Sequence, residues 1–160
     1  MIDSKLKYLF SFFTIWSITL YIICLQLIYC SSYKIPDYCV YCLFGMLNIL
    51  GIMGSVVIIY KGNKIKDKLK VSNNTLVLSN LLFHIIPMIH IWYYRSDILN
   101  ITTKNNFTIL KSSLLFHLIT LIYMYFNNLN KVYFGINQYM LMILPTIIYW
   151  ISMIYLYTKQ

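Results

Sequence analysis

The sequence predicts an all-α protein, a polytopic transmembrane helical bundle of about five spans, forming a single integral membrane domain over residues 1–160. Three observations carry that prediction. Hydrophobic residues make up 60% of the chain and charged residues 11%, whereas a soluble domain carries about 25% charged residues. The apolar residues fall in five long runs, at about 8–28, 38–60, 76–94, 110–126 and 139–157, each near the ~20 residues a helix needs to cross the hydrocarbon core. A lysine cluster then separates the second run from the third: Lys61 to Lys70 holds five lysines and one aspartate. Short lysine-rich connectors stay on the cytoplasmic side, so this stretch, read as a loop, orients every flanking run.

The first run, 8–28, follows Lys5 and Lys7 and ends in Leu27-Ile-Tyr-Cys30. It is longer than the ~7–15-residue apolar stretch of a secretory signal peptide and lacks the small residues of a cleavage site, so it reads as an uncleaved signal anchor. Ser31 to Asp37 turns the chain, with Pro36 disfavouring helix in the residue before it. On the second run Gly45, Asn48, Gly51 and Ser55 recur at spacings of three, three and four, placing them on one helix face. Small residues in a stripe let another helix approach closely, and Asn48 can hydrogen-bond across the contact; a packing seam is expected there.

The third run, 76–94, is the most polar, with Ser79, Asn80, His84, Pro87 and His90, and ends in Trp92-Tyr-Tyr-Arg95, amphipathic side chains of the kind that sit at headgroup level. The connector after it, expected on the non-cytoplasmic side, contains Asn100-Ile-Thr102 and Asn106-Phe-Thr108, so Asn100 and Asn106 are formal glycosylation acceptors. The fourth run carries His117, with Lys111 able to snorkel from its outer end. The fifth holds Pro145, able to kink it, and the chain stops at Lys159-Gln160. With the N-terminus cytoplasmic and the C-terminus non-cytoplasmic, Lys5, Lys7, the five clustered lysines and Lys131 lie inside. Lys34, Arg95, Lys104, Lys111 and Lys159 lie outside, an eight-to-five split with the expected sign.

The net charge of +9 does not point to nucleic acid, because the lysines sit in connectors rather than on a folded basic face. They read as topology signals and contacts to anionic headgroups. The expected partners are therefore the lipid bilayer and either a second copy of the chain or another membrane protein. Isoleucine, asparagine, lysine and tyrosine are heavily used and alanine is absent, the mark of an AT-rich genome.

His84, His90 and His117 are the only histidines, and all fall in apolar runs; polar groups inside a bilayer are costly and mark function by default. Asn80 and His84, four apart, share a helix face, while His90 points away from them. Taking adjacent antiparallel helices as spatial neighbours, His84 and His117 are expected to pair at similar depth. They and Asn80 are the candidates for base, proton or lipid chemistry, with interhelical hydrogen bonding as the structural alternative. The only acids, Asp3, Asp37, Asp67 and Asp97, lie outside the spans or at their edge, so a carboxylate to orient a histidine base is missing. Cys39-Val-Tyr-Cys42 has neither the further ligands of a zinc site nor a βαβ setting. Cys30 clusters with this pair near the outer ends of the first two runs, and free thiols are favoured over a disulfide. No cofactor or metal is expected, and there is no glycine-rich phosphate loop.

With its lone histidine–proline segment His84-Ile-Ile-Pro87 and the Leu144-Pro145 step, the chain resembles uncharacterised multi-pass membrane proteins of large DNA viruses with AT-rich genomes. The leading reading is a non-enzymatic structural or accessory component of a host intracellular or viral membrane, acting through helix contacts with itself or a partner. An intramembrane histidine-dependent enzyme or proton-linked carrier is the alternative. Intramembrane hydrolases related to androgen-induced proteins use a threonine and a histidine. His84 or His117 could stand for that histidine, but no accompanying threonine motif is present, and no catalytic residue is carried over.

Overall fold

The computed structural model describes residues 13–30, 36–93, 106–126 and 138–159. These form five helices, with no strand among the described residues: α1 (Phe13–Cys30), α2 (Asp37–Leu69), α3 (Asn73–Tyr93), α4 (Asn106–Phe126) and α5 (Gln138–Lys159). Three of them, α2, α3 and α4 from Phe107, are long and apolar enough to cross a membrane. The chain is thus an all-α bundle built at membrane length.

Helix α2 starts where Pro36, in an extended conformation, offers its carbonyl to the Cys39 N–H at 2.8 Å, and Asp37 places a negative charge in the first turn, where the helix dipole favours it. It then runs for 33 residues, or about 50 Å at 1.5 Å per residue, well beyond the ~30 Å hydrocarbon core. The extra length is the lysine stretch. Lys61 to Leu69, expected as a loop, is helical, and the turn is confined to Lys70–Ser72. Lys70 takes the left-handed conformation (φ 55°) and its N–H, with that of Val71, bonds the Lys66 carbonyl, closing the helix as a left-handed cap does. Ser72 opens α3, its hydroxyl accepting the Thr75 N–H at 3.1 Å. The left-handed cap at Lys70 and the absence of proline between Lys61 and Leu69 let the helix run on through Gly62 and the charge-rich segment.

Helix α3 carries a wide π turn over Leu81–Ile85, in which the Ile86 N–H reaches back to the Leu81 carbonyl. Pro87, which has no N–H to continue the ladder, follows at once. Such single π turns recur at functional positions in helices, and this one contains His84.

The bundle is organised around α2. Every residue from Tyr41 to Gly51 is buried, which on a helix means covered on all sides. Helices α1, α3, α4 and α5 all pack on it. Its neighbours follow a regular order: Gly62 lies beside Leu76, Gly54 beside His84, Gly51 beside Met88 and Asn48 beside Trp92, so α2 and α3 are antiparallel. Thr14 bonds His84 and Tyr21 bonds His90, so α1 and α3 are parallel. Ser112 meets Met153 and Phe116 stacks on Tyr149, making α4 and α5 antiparallel, and Phe44–Tyr155 with Asn48–Ser152 does the same for α2 and α5. Successive helices therefore alternate in direction.

The outward faces of α4 and α5 are apolar. Leu114, Leu118 and Leu121 on α4 and Ile147, Ile151 and Ile154 on α5 are all exposed, at spacings that keep each set on one face. Contiguous apolar faces of this extent are foreign to a water-facing monomer and suit acyl chains.

Candidate functional site

The small-residue stripe of α2 serves two neighbours rather than one. Gly45 lies against the Tyr149 ring of α5, and Gly51 against Met88 of α3, whose Cβ stands 2.9 Å from where a Gly51 Cβ would sit. Asn48 joins both sides: its amide donates to Ser152 Oγ on α5 at 3.1 Å, and its carbonyl accepts the Trp92 indole N–H from α3 at 2.6 Å. Ser55 turns inward to its own helix, donating to the Gly51 carbonyl at 2.7 Å. One sequence stripe serves two interfaces because the helix carrying it is central.

A further glycine, absent from that stripe, positions the candidate site. A Cβ on Gly54 would meet the His84 ring at 2.5 Å (Cδ2), 2.7 Å (Cγ) and 2.9 Å (Nε2), so the imidazole lies flat on bare backbone. The ring is held at both nitrogens. Nδ1 is 2.7 Å from Asn80 Oδ1, one turn earlier on α3, and Nε2 is 2.8 Å from Thr14 Oγ1 on α1. An amide oxygen can only accept, so Nδ1 carries the proton and Nε2 accepts the Thr14 hydroxyl proton. The result is a hydroxyl, an imidazole and an amide in series across α1 and α3, with His84 buried and Thr14 half-exposed.

This corrects the expected pairing of the histidines. His117 does not complete a site with His84; its Nδ1 bonds the Ser113 carbonyl of its own helix at 2.7 Å, and its ring meets Phe116 edge-on. The expectation took α3 and α4 as neighbours because they are consecutive, but each packs on the intervening α2 and they share no substantial interface. His90 makes its own interhelical bond, Nδ1 to Tyr21 Oη at 2.7 Å, with the two rings edge to face. Asn80, a candidate from its spacing alone, is the residue that orients His84. Thr14 was not singled out, since a lone hydroxyl in a helical apolar run carries no sequence signal, and its partner stands 70 residues away.

Other positions are placed as follows. Asn100 lies outside the described residues, as does the rest of the connector up to Asn105, while Asn106 is the first residue of α4. Neither Cys39 nor Cys42 forms a disulfide, and the Cys42 thiol approaches Met46 Sδ at 3.9 Å; the side chain of Cys30 is outside the described set. Among the described residues no three His, Cys, Asp or Glu side chains cluster as metal ligands would. Lys111 lays its ammonium over the Phe107 ring, 4.7 Å from the centroid, and within 5.9 Å of that of Tyr38. It thus leans towards the start of α4, as a snorkelling lysine does.

A hydroxyl donating to an imidazole whose other nitrogen is fixed by an acceptor is the arrangement of an activated nucleophile, its general base and the group that orients the base. Asparagine can fill the orienting role in place of a carboxylate. Fold and site together define an all-helical bundle with membrane-length helices and a threonine–histidine–asparagine relay centred on the buried His84. No known family, curated protein or solved structure matches the chain.

Proposed function

We propose that the protein is a five-span intramembrane enzyme in which Thr14 is the nucleophile, His84 the general base and Asn80 the residue that orients it, acting on an ester bond of a lipid. The observation that carries this reading is the unbroken Thr14–His84–Asn80 series at 2.8 and 2.7 Å. Depth supports the substrate class. His84 lies beside Gly54, and Lys61, where the charged part of α2 begins, is about 10 Å further along that helix, a depth suited to ester carbonyls just under the headgroups. The alternating helix directions support five crossings, with the lysine end of α2 cytoplasmic and the C-terminus on the far side.

The test is hydrolysis of p-nitrophenyl decanoate by the purified protein in detergent, with labelling by a lipophilic fluorophosphonate. Thr14→Ala and His84→Ala are expected to abolish both while the proteins remain folded. Asn80→Ala is expected to lower turnover by about 10- to 100-fold through loss of ring orientation. Full activity in Thr14→Ala would end the enzymatic reading.

A second reading has its own support. Tyr21–His90 is another histidine–hydroxyl bond across the same two helices, as expected if such pairs serve as interhelical glue in a structural or accessory component of an intracellular or viral membrane. On that reading Thr14→Ala and His90→Phe lower stability to a similar extent, and no ester is turned over.

A further inference from the structure

Helix α1 holds a polar group that the relay does not use. Ser17 is completely buried, and its hydroxyl has no hydrogen-bond partner among the described residues. A helical serine ordinarily returns its hydroxyl to the carbonyl four residues back, as Ser55 and Ser152 do in this protein. A buried hydroxyl without a partner costs about 1–3 kcal/mol, so its presence calls for a reason. Its position supplies one. Ser17 is three residues after Thr14, which places the two on one face of α1 with their Cβ atoms about 5–6 Å apart. Tyr21, a further turn along that face, reaches α3, so the face turns towards the helix that carries His84.

We infer that Ser17 Oγ is the hydrogen-bond donor for the oxyanion formed when Thr14 attacks an acyl carbonyl, an assignment that rests on the nucleophile reading above. In the step, Thr14 Oγ1 bonds to the carbonyl carbon and its proton passes to His84 Nε2. The C=O π pair moves onto the carbonyl oxygen, and Ser17 O–H donates to that new anion. The C=O bond then re-forms, the C–O bond to the leaving alcohol breaks, and the alkoxide takes the proton from Nε2. Water repeats the sequence on the Thr14 ester, releasing the fatty acid and restoring the threonine. A donor free in the ground state and bonded only once charge develops is the form of stabilisation that raises turnover rather than affinity. The small-residue alternative, in which Ser17 merely lets helices approach, requires its size and not its oxygen.

Ser17→Ala separates the two, since it keeps the size and removes the donor. On p-nitrophenyl decanoate in micelles, kcat is expected to fall about 100-fold, with KM and the pH profile set by His84 unchanged and thermal stability raised, because the unpartnered hydroxyl is gone. Ser17→Thr, which keeps the hydroxyl, should retain most of kcat and serves as the reporter if the alanine variant does not fold. Unchanged kcat in Ser17→Ala, or loss of kcat in Ser17→Thr with folding intact, overturns the assignment. If Thr14→Ala abolishes turnover while Ser17→Ala does not, only the Ser17 role falls; activity in Thr14→Ala removes the reading beneath it.

Discussion

Adding one methyl group at Gly54 should do more damage than at any exposed position of α2. In Gly54→Ala the new Cβ would stand 2.5, 2.7 and 2.9 Å from three atoms of the His84 ring, whereas carbon atoms settle at about 3.5–4.0 Å. The planar ring can only retreat as a unit, by about 1 Å. Its bonds to Asn80 at 2.7 Å and Thr14 at 2.8 Å cannot both survive that displacement, since a contact stretched to ~3.6 Å is no longer a hydrogen bond. Overpacking costs about 1–3 kcal/mol, and a buried polar group left without its partner adds about 1–3 kcal/mol. The better helix propensity of alanine returns about 1 kcal/mol. The expected net effect is a destabilisation of about 1–5 kcal/mol. Gly62→Ala is the internal control, because the nearest atom there is the flexible end of Leu76, Cδ2, at 3.3 Å; it should be neutral or stabilising by up to about 1 kcal/mol. Stability would be read from SDS-induced unfolding in mixed micelles, with His84→Ala added to each glycine variant as a double-mutant cycle. His84→Ala should relieve most of the Gly54→Ala penalty and leave Gly62→Ala untouched. Equal stability of the two alanine variants, or no coupling between Gly54 and His84, would refute the packing of the ring on that glycine.

Three further outcomes are expected. Leucine at Gly51 must displace Met88, while Ile52 is 46% exposed; Gly51→Leu should therefore lose more than about 2 kcal/mol and Ile52→Leu less than about 0.5 kcal/mol, and similar losses in SDS unfolding would count against the α2–α3 interface. In a background without native cysteines, a Thr14→Cys/His84→Cys pair should crosslink with a short bifunctional reagent and a His84→Cys/His117→Cys pair should not; the reverse pattern would overturn the central placement of α2. Reporter domains fused at Lys66 and after Gln160 should report opposite sides of the membrane, because α2 and α5 are antiparallel and the two points lie near their C-terminal ends; a shared compartment would exclude five crossings.

What the sequence by itself determined follows from properties that each segment carries alone. Length and hydropathy marked where the helices run, and small residues at helical spacing marked α2 as a contact surface, because both depend only on rise per residue and side-chain size. Spacing within one helix also paired Asn80 with His84, since residues four apart are neighbours whatever surrounds them. The lysine stretch shows the limit of that local reasoning. Charge does not break a helix, and the caps at Lys70 and Ser72 put the turn at its end. Which helices touch was decided only by the tertiary structure. With Tyr41–Gly51 covered on all sides, α2 separates α3 from α4, and chain order ceased to predict contact. The choice of His84 over His117, the use of Gly54 as its floor and the arrival of Thr14 from α1 all depend on how close-packed side chains fit between helices. That fit is a property of surfaces meeting across 70 residues of chain, and no single segment encodes it.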